Sequence, residues 1–210
     1  MNGQTIPLKI TQPVVEEDSA RADVYALIAR LFYAGPDAAL LAAVAVAGAG
    51  EIAGEAETAP LAAAWRALGA AAAAMDAEAA REEYDHVFVG TGKAEITPYA
   101  SHYLAESMQE RVLVRLRGTL TEMGLAKNQS AAEYEDHLSG LCEVMRHLIA
   151  AGSSDVAVQE QMKFFMEYVS PWYAKFCAAV MASPNTKFYK HVAGFTKAFL
   201  DVEVGSFEMI

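Results

Sequence analysis

The sequence predicts an all-α protein, a single-domain bundle of roughly nine to eleven helices without a sheet. Alanine, the strongest helix former, makes up about half of residues 37 to 80. Glycine and proline are sparse inside the periodic stretches, and no run of alternating Val, Ile and Thr is typical of a strand. Because 210 residues suffice for one sizeable core, we expect a tail over residues 1–17 and one helical domain over 18–210.

The helices in the first half are predicted from apolar spacing and from the turn residues between them. They cover residues 18–33, 37–47, 60–75 and 77–88. In the first helix Val24, Leu27, Ile28 and Leu31 form one apolar stripe, which Tyr25 and Phe32 flank. Gly35-Pro36 ends that helix, and the glycines from Gly48 to Gly54 form the loosest point of the chain.

The second half is expected to be equally helical. A long helix after Pro98 carries Leu104, Met108 and Val112 towards Gly118 or Gly124. The capping-box pattern from Ser130 to Glu133 predicts the start of the next and best-defined helix. Its apolar residues recur at helical spacing and are Leu138, Leu141, Cys142, Met145, Leu148 and Ile149. Three further helices are predicted over residues 155–168, 171–182 and 186–202.

The segment from Phe88 to Tyr103 interrupts this helical pattern with an irregular, aromatic loop. Gly90 and Gly92 allow backbone angles that residues with a Cβ resist. Thr97-Pro98 is typical of a helix N-cap followed by proline at the first helical position. An ordered loop with a defined exit is therefore expected between two helices.

Charge and composition exclude several classes of protein. The formal net charge of −11 disfavours nucleic acid and anionic membranes as partners and favours a basic one. The N-terminal residues show no export signal, and the apolar windows are too short and interrupted for stable membrane insertion, so we expect a soluble, cytoplasmic protein. Cys142 and Cys177 lie far apart inside helical patterns, which predicts buried structural thiols.

The polar cluster Glu135-Asp136-His137 is the first candidate site. If the helix starts at Ser130, Asp136 lies in its second turn and on the side opposite the apolar stripe, with Gly140 one turn further on. Asp136 is then expected to face either solvent or a docking partner, and His137 to lie at the edge of the stripe. A plain solvated carboxylate and a hydrogen-bonded boundary histidine are the alternatives.

A second candidate is the Glu-x-x-His spacing of Glu83 and His86, which places a carboxylate and an imidazole on one helix face, as in di-iron bundles. Such sites need the pattern twice and two further glutamates. The other histidine segments pair Glu133 with His137 and Glu143 with His147 at a spacing of four, so the ligand set is incomplete. No nucleophile, phosphate-loop or dinucleotide motif is present, and we expect no metal, no cofactor of its own and no catalytic residues.

Several segments in the same order resemble the TorD/DmsD/NarJ family of redox enzyme maturation chaperones. FVGTGKAEITPYASHY resembles the family's loop, and EYEDHLSGLCEVMRHLI resembles its Asp-His helix motif. ARADVYALIARLFYAGPD resembles its first helix, while FFMEYVSPWYAKF and FYKHVAGFTKAFL resemble its C-terminal half. Tyr134 and Tyr168 depart from the usual pattern, in which a proline and a histidine often stand at these positions.

The resemblance implies a cytoplasmic chaperone that binds the twin-arginine signal peptide of an unfinished molybdoenzyme. It holds this client back from export until the client's molybdopterin cofactor is inserted, and it is a monomer or a swapped dimer. A receptor for two arginines and an apolar run needs carboxylates beside an apolar surface. The predicted peptide-binding residues are Tyr25, Pro98, Tyr99, Ser101, Tyr103, Glu135, Asp136 and His137, with Gly90 and Gly92 in the loop. The alternatives are a metal-dependent helical enzyme and a helical adaptor for a folded partner.

Overall fold

The structure is a computed structural model that describes residues 16–50, 59–90, 92–104, 109–125 and 133–210. Within these ranges it forms a helical bundle in which no strand occurs, so the all-α class is confirmed. Its helices are α1 (Glu16–Tyr33), α2 (Ala38–Gly48), α3 (Ala59–Ala74), α4 (Ala77–Tyr84), α5 (Ala100–Tyr103), α6 (Gln109–Glu122), α7 (Leu138–Ala150), α8 (Asp155–Tyr168), α9 (Tyr173–Ala182) and α10 (Tyr189–Glu208). A π-helical turn, Asp85–Val89, follows α4.

Elements set by local signals lie where the sequence predicts them. α8 has the expected bounds, and the Ser154 hydroxyl accepts a hydrogen bond from the Ala157 N–H at its start. α2 begins after Asp37, whose carboxylate accepts from the Leu40 N–H at 2.7 Å. Gly90 and Gly92 have positive φ angles of 63° and 102°, as the loop requires. A Cβ on Gly90 would lie 2.2 Å from the Lys93 carbonyl oxygen.

Several predicted helix boundaries are wrong. The last helix, predicted over 186–202, runs from Tyr189 to Glu208. The helix expected to start at Ser130 begins at Leu138, with His137 as its N-cap. The helix expected at Thr97-Pro98 begins at Ala100, and it ends at Tyr103 instead of continuing as one long helix. The physical reason is a backbone bridge between the two segments, which is described below. Its hydrogen bonds use N–H and C=O groups that longer helices would need for their own hydrogen bonds. Ser130, Met108, Gly54 and residues 1–15 of the predicted tail lie outside the described residues.

The buried face of α1 is also rotated from the predicted stripe. Tyr25, Ile28, Leu31 and Phe32 are fully buried, whereas Val24 and Leu27 are only partly buried. α1 begins at Glu16, two residues earlier than expected, and packs mainly against α7. The aromatic side chains determine the face because they bury the largest area.

The core is an aromatic cluster at the centre of the bundle. The Phe32 ring lies 5.7 Å from Phe88 and 5.2 Å from Phe176, and Tyr189 lies 5.0 Å from Phe88. These rings connect α1, the π-helical turn, α9 and α10. Cys142 and Cys177 are both free and buried, as predicted for structural thiols.

Glu83 has a structural role in this core. Its buried carboxylate accepts hydrogen bonds from the backbone N–H groups of Phe188, at 3.1 Å, and Tyr189, at 2.7 Å. These donors lie at the start of α10, where a carboxylate also complements the helix dipole. His86 points outward with 66% of its side chain exposed. The described residues contain no group of three or more His, Cys, Asp or Glu side chains that could hold a metal ion.

Candidate functional site

A two-segment bridge joins the glycine loop to the start of α7. Tyr99 and His137 form an isolated antiparallel pair. The Leu138 N–H donates to the Pro98 carbonyl at 2.9 Å, and the Ala100 N–H donates to the Asp136 carbonyl at 3.0 Å. The starts of α5 and α7 are thereby held side by side.

Asp136 belongs to this bridge through its carbonyl, and its side chain is buried, so the prediction that it faces solvent or a docking partner is wrong. Its side chain is 1% exposed, and its Oδ2 accepts a hydrogen bond from the Ser101 N–H at 2.9 Å. Oδ1 makes no hydrogen bond within the described part of the chain. The helical-wheel argument failed because Asp136 precedes α7 and is not helical. The carboxylate instead stabilises the N-terminus of α5 by accepting this hydrogen bond.

His137 is buried as well, with 2% exposure, and caps α7. Its Nδ1 accepts from the Ser139 N–H at 3.1 Å and lies 2.8 Å from the Ser139 hydroxyl. Burial lowers the pKa of His137 to about 4, although the charges of Glu133 and Asp136 act in the opposite direction. The imidazole is therefore neutral at physiological pH, which leaves Nδ1 free to accept.

Tyr99 connects the bridge to the surface. Its ring contacts His137 edge to face at 4.9 Å, and its hydroxyl donates to the Glu133 carboxylate. Burial is the first cause of a raised Tyr99 pKa, and the hydrogen bond to Glu133 adds to it. The phenol therefore stays protonated and orients Glu133.

An apolar groove lies between α1, the end of α6 and the first turns of α7. Its volume is about 620 Å³, and it is hereafter called the α1–α7 groove. The groove exists because residues with small or no side chains line both helices, notably Ala26 and Ala29 on α1 and Gly140 on α7. The remaining lining residues are Arg30, Tyr33, Leu120, Leu125, Glu133, Tyr134, Glu135, Ser139, Glu143 and Val144.

The polar side chains of the groove are mostly acidic. Glu133, Glu135 and Glu143 contribute three carboxylates, and Arg30 is the one cation among the lining residues that the structure describes. The Arg30 guanidinium lies 3.3 Å from the Asp37 carboxylate, outside the groove lining. An apolar cleft edged by carboxylates favours a ligand with apolar and cationic parts.

The structure separates the predicted site residues. Glu135 alone among the eight predicted peptide-binding residues lines the α1–α7 groove. Asp136, His137 and Pro98 are buried residues of the bridge, and the Ser101 N–H donates to the Asp136 carboxylate.

Two predicted aromatic contacts lie elsewhere. Tyr25 is fully buried and donates its hydroxyl to Glu203 at 2.9 Å, so its side chain belongs to the core. Tyr103 stacks on Trp172 at 5.4 Å and lines a separate cavity of about 370 Å³ beside α6 and α8. Neither side chain lines the groove.

Sequence reasoning missed the aromatic side chains that do line it. Tyr33 and Tyr134 are 47% and 60% exposed, although a large aromatic side chain usually gains by burial. A signal was present: Ala26, Ala29, Arg30 and Tyr33 recur at helical spacing on the face of α1 that the predicted stripe leaves out. Gly140 and Val144 repeat this spacing on α7.

The described residues contain no helix that is both long enough and apolar enough to cross a membrane. The fold and the groove together define a helical bundle with an apolar cleft edged by carboxylates. Next to the cleft, a backbone bridge joins two segments that are distant in the sequence.

The chain belongs to the nitrate reductase delta subunit family, whose family model matches residues 55–178. This match confirms the resemblance to TorD/NarJ-type proteins. It includes the glycine loop, the bridge and the α6 and α7 sides of the groove.

The chain is also similar to two proteins named chaperone protein TorD. The protein from Aliivibrio fischeri is 26% identical over 131 residues, which cover 58% of this chain and 61% of that protein. The protein from Actinobacillus pleuropneumoniae serotype 3 is 29% identical over 123 residues, which cover 58% of this chain and 60% of that protein. The chain therefore spans about three fifths of the length of these relatives.

Proposed function

We propose that this protein is a cytoplasmic chaperone for the catalytic subunit of a molybdoenzyme. It binds the twin-arginine signal peptide of the apo subunit and holds the subunit back from export until the molybdopterin cofactor is inserted. The observation that carries the proposal is the α1–α7 groove, which combines an apolar floor with three carboxylates. Membership of the family and the names of the relatives support it.

The groove matches the chemistry of such a signal peptide. The apolar run of the peptide would lie on Ala26, Ala29 and Val144, between the exposed rings of Tyr33 and Tyr134. The arginine pair would reach the carboxylates at the edge, where a guanidinium can donate two parallel hydrogen bonds to one carboxylate. Only a short part of the peptide fits, since clefts of about 300–1,000 Å³ hold ligands of drug size.

The apolar contacts should determine most of the affinity. Burying about 500 Å² of peptide surface at about 25 cal/mol per Å² gives roughly 12 kcal/mol before the cost of ordering the peptide. An exposed ion pair adds only about 0.2–1 kcal/mol. After the ordering cost, a dissociation constant near micromolar, or about −8 kcal/mol, is expected. The carboxylates should contribute specificity and a faster association rate.

The protein acts in this role without chemistry of its own. Glu83, the residue that carried the metal-enzyme alternative, is occupied as a helix cap. The molybdopterin cofactor would belong to the client. A general adaptor for folded partners would bind surfaces without preferring leader peptides, and the binding assay below distinguishes it.

Isothermal titration tests the proposal directly. The probe is a synthetic peptide with the twin-arginine leader of the molybdoenzyme subunit encoded nearest this gene. Its control is the same peptide with both arginines replaced by glutamine. We expect micromolar binding of the leader and weaker binding of the control. No binding of the leader by the folded protein would overturn the proposal.

A further inference from the structure

Glu135, the one predicted site residue in the groove, already holds a guanidinium. Arg117 of α6 donates from Nε to one carboxylate oxygen of Glu135 and from Nη2 to the other, each at 3.0 Å. The Glu135 side chain is 13% exposed and the Arg117 side chain is 50% exposed. The acceptor is therefore a largely buried side chain of the groove lining, while the donor is half exposed.

The geometry of this pair is the one that a leader arginine would adopt. A carboxylate accepts one guanidinium fork through its two oxygens, and both oxygens of Glu135 accept from Arg117. A second guanidinium cannot form the same fork at the same time. Because Arg117 is half exposed, its side chain can rotate into solvent without disturbing the core.

We propose that Arg117 is an internal competitor that occupies the arginine site of the α1–α7 groove in the free protein. This inference rests on the function proposed above, and it identifies Glu135 as the carboxylate for one leader arginine. Binding then exchanges one guanidinium for another at Glu135. The apparent affinity is the intrinsic affinity reduced by the fraction of molecules in which Glu135 is released.

The competition predicts how much the leader affinity changes when Arg117 is removed, and how that affinity depends on salt. For an exposed ion pair, removal of Arg117 should tighten leader binding by about two- to fivefold. Salt weakens the pair between Glu135 and the leader, but it also weakens the internal pair that blocks the site. These two effects oppose each other in the wild type, so its affinity should change little with salt. Without Arg117 the pair that it forms with Glu135 is lost, so the opposing effect is reduced and the salt dependence should be steeper.

The experiment compares Arg117→Gln with the wild type and with Arg115→Gln as a matched control. Arg115 lies on the same helix and is similarly exposed, but it pairs with Glu167 at 3.1 Å and lines the separate 370 Å³ cavity. The probe is the fluorescently labelled leader peptide defined above. Its binding is measured by anisotropy at about 50 mM and about 500 mM salt, and circular dichroism checks that each variant is folded.

Tighter binding and a steeper salt dependence in Arg117→Gln, with Arg115→Gln unchanged, would support the inference. If the wild type does not bind the leader, the proposed function fails, and the inference that rests on it fails with it, whether or not Arg117→Gln binds. Equal or weaker binding by Arg117→Gln, when the wild type binds, would overturn the inference and leave the proposed function standing. If neither protein binds the leader, the proposed function and the inference both fail.

Discussion

Replacing Asp136 with alanine should destabilise the fold while leaving the groove able to bind. The side chain is 1% exposed, and its Oδ2 accepts from the Ser101 N–H at 2.9 Å. A hydrogen bond to a charged acceptor contributes about 1.5–3 kcal/mol. Oδ1 has no hydrogen-bond partner among the described residues, and removing it offsets about 1 kcal/mol of that loss, because burying such an atom is costly.

The expected net loss is about 0.5–2 kcal/mol of unfolding free energy, which corresponds to a fall in Tm of about 1–8 °C for a chain of this size. Asp136→Asn keeps an acceptor for Ser101 but loses the charge, so its loss should be about half as large. Leader affinity at 10 °C should change less than about threefold. The reason is that the hydrogen bonds from Leu138 to Pro98 and from Ala100 to Asp136 involve only backbone atoms.

Urea denaturation gives the unfolding free energy, and titration of the leader at low temperature gives the affinity of the folded variant. Asp76→Ala is the matched control, since Asp76 also accepts backbone N–H groups at a helix start but is exposed. It should lose about 0.5–1 kcal/mol, as exposed caps do. A stable Asp136→Ala protein that loses leader binding more than tenfold would refute this account and make Asp136 a direct ligand.

Further predictions concern two of the other buried polar side chains, those of His137 and Glu83. The pKa of His137 is lowered from 6.5 to about 4, so its contribution to stability is complete above pH 6.5 and declines as the pH falls towards 4. From pH 7.5 to pH 5, the wild type should lose about 2 kcal/mol more unfolding free energy than His137→Asn; equal losses would contradict the assignment. Glu83→Ala should cost about 2 kcal/mol or more, against less than about 0.5 for the exposed His86→Ala, and equal costs would argue against the cap.

Local signals in the sequence account for much of the fold. Ser154 and Asp37 cap the helices that follow them, and Gly90 takes the backbone conformation that the loop requires. Each of these features depends on neighbouring residues along the chain, so spacing and residue type were sufficient to predict it.

The candidate site was less predictable because it depends on a contact between distant segments. Pro98 and Leu138 are forty residues apart, and their hydrogen bond moves the start of α7 eight residues beyond Ser130. Because of that shift, Asp136 lies before α7, although the orientation of its side chain was predicted from a helix that included it. Nothing local in the sequence indicates such a bridge, since the capping-box pattern favours an earlier start.

The groove is a third case. The sequence shows the spacing of its small residues, but it does not show that these residues form a cleft. Small residues on α1 and α7 are visible as helical spacing, yet such stripes equally permit close helix packing. Only the structure shows that these residues line a cleft of about 620 Å³. The exposed side chains of Tyr33 and Tyr134 line the same cleft.

The most direct test of the central claim fills the groove. Ala26 lines it from α1, whereas Ala20 is exposed on the same helix and does not line it. The measurement is the affinity of the leader peptide for Ala26→Trp, with Ala20→Trp as the control and circular dichroism confirming both folds. We expect Ala26→Trp to weaken binding at least about tenfold, or about 1.4 kcal/mol, because the indole occupies the space of the apolar run, and we expect Ala20→Trp to bind as the wild type does. Unchanged binding by a folded Ala26→Trp protein would contradict the claim that the α1–α7 groove is the binding site.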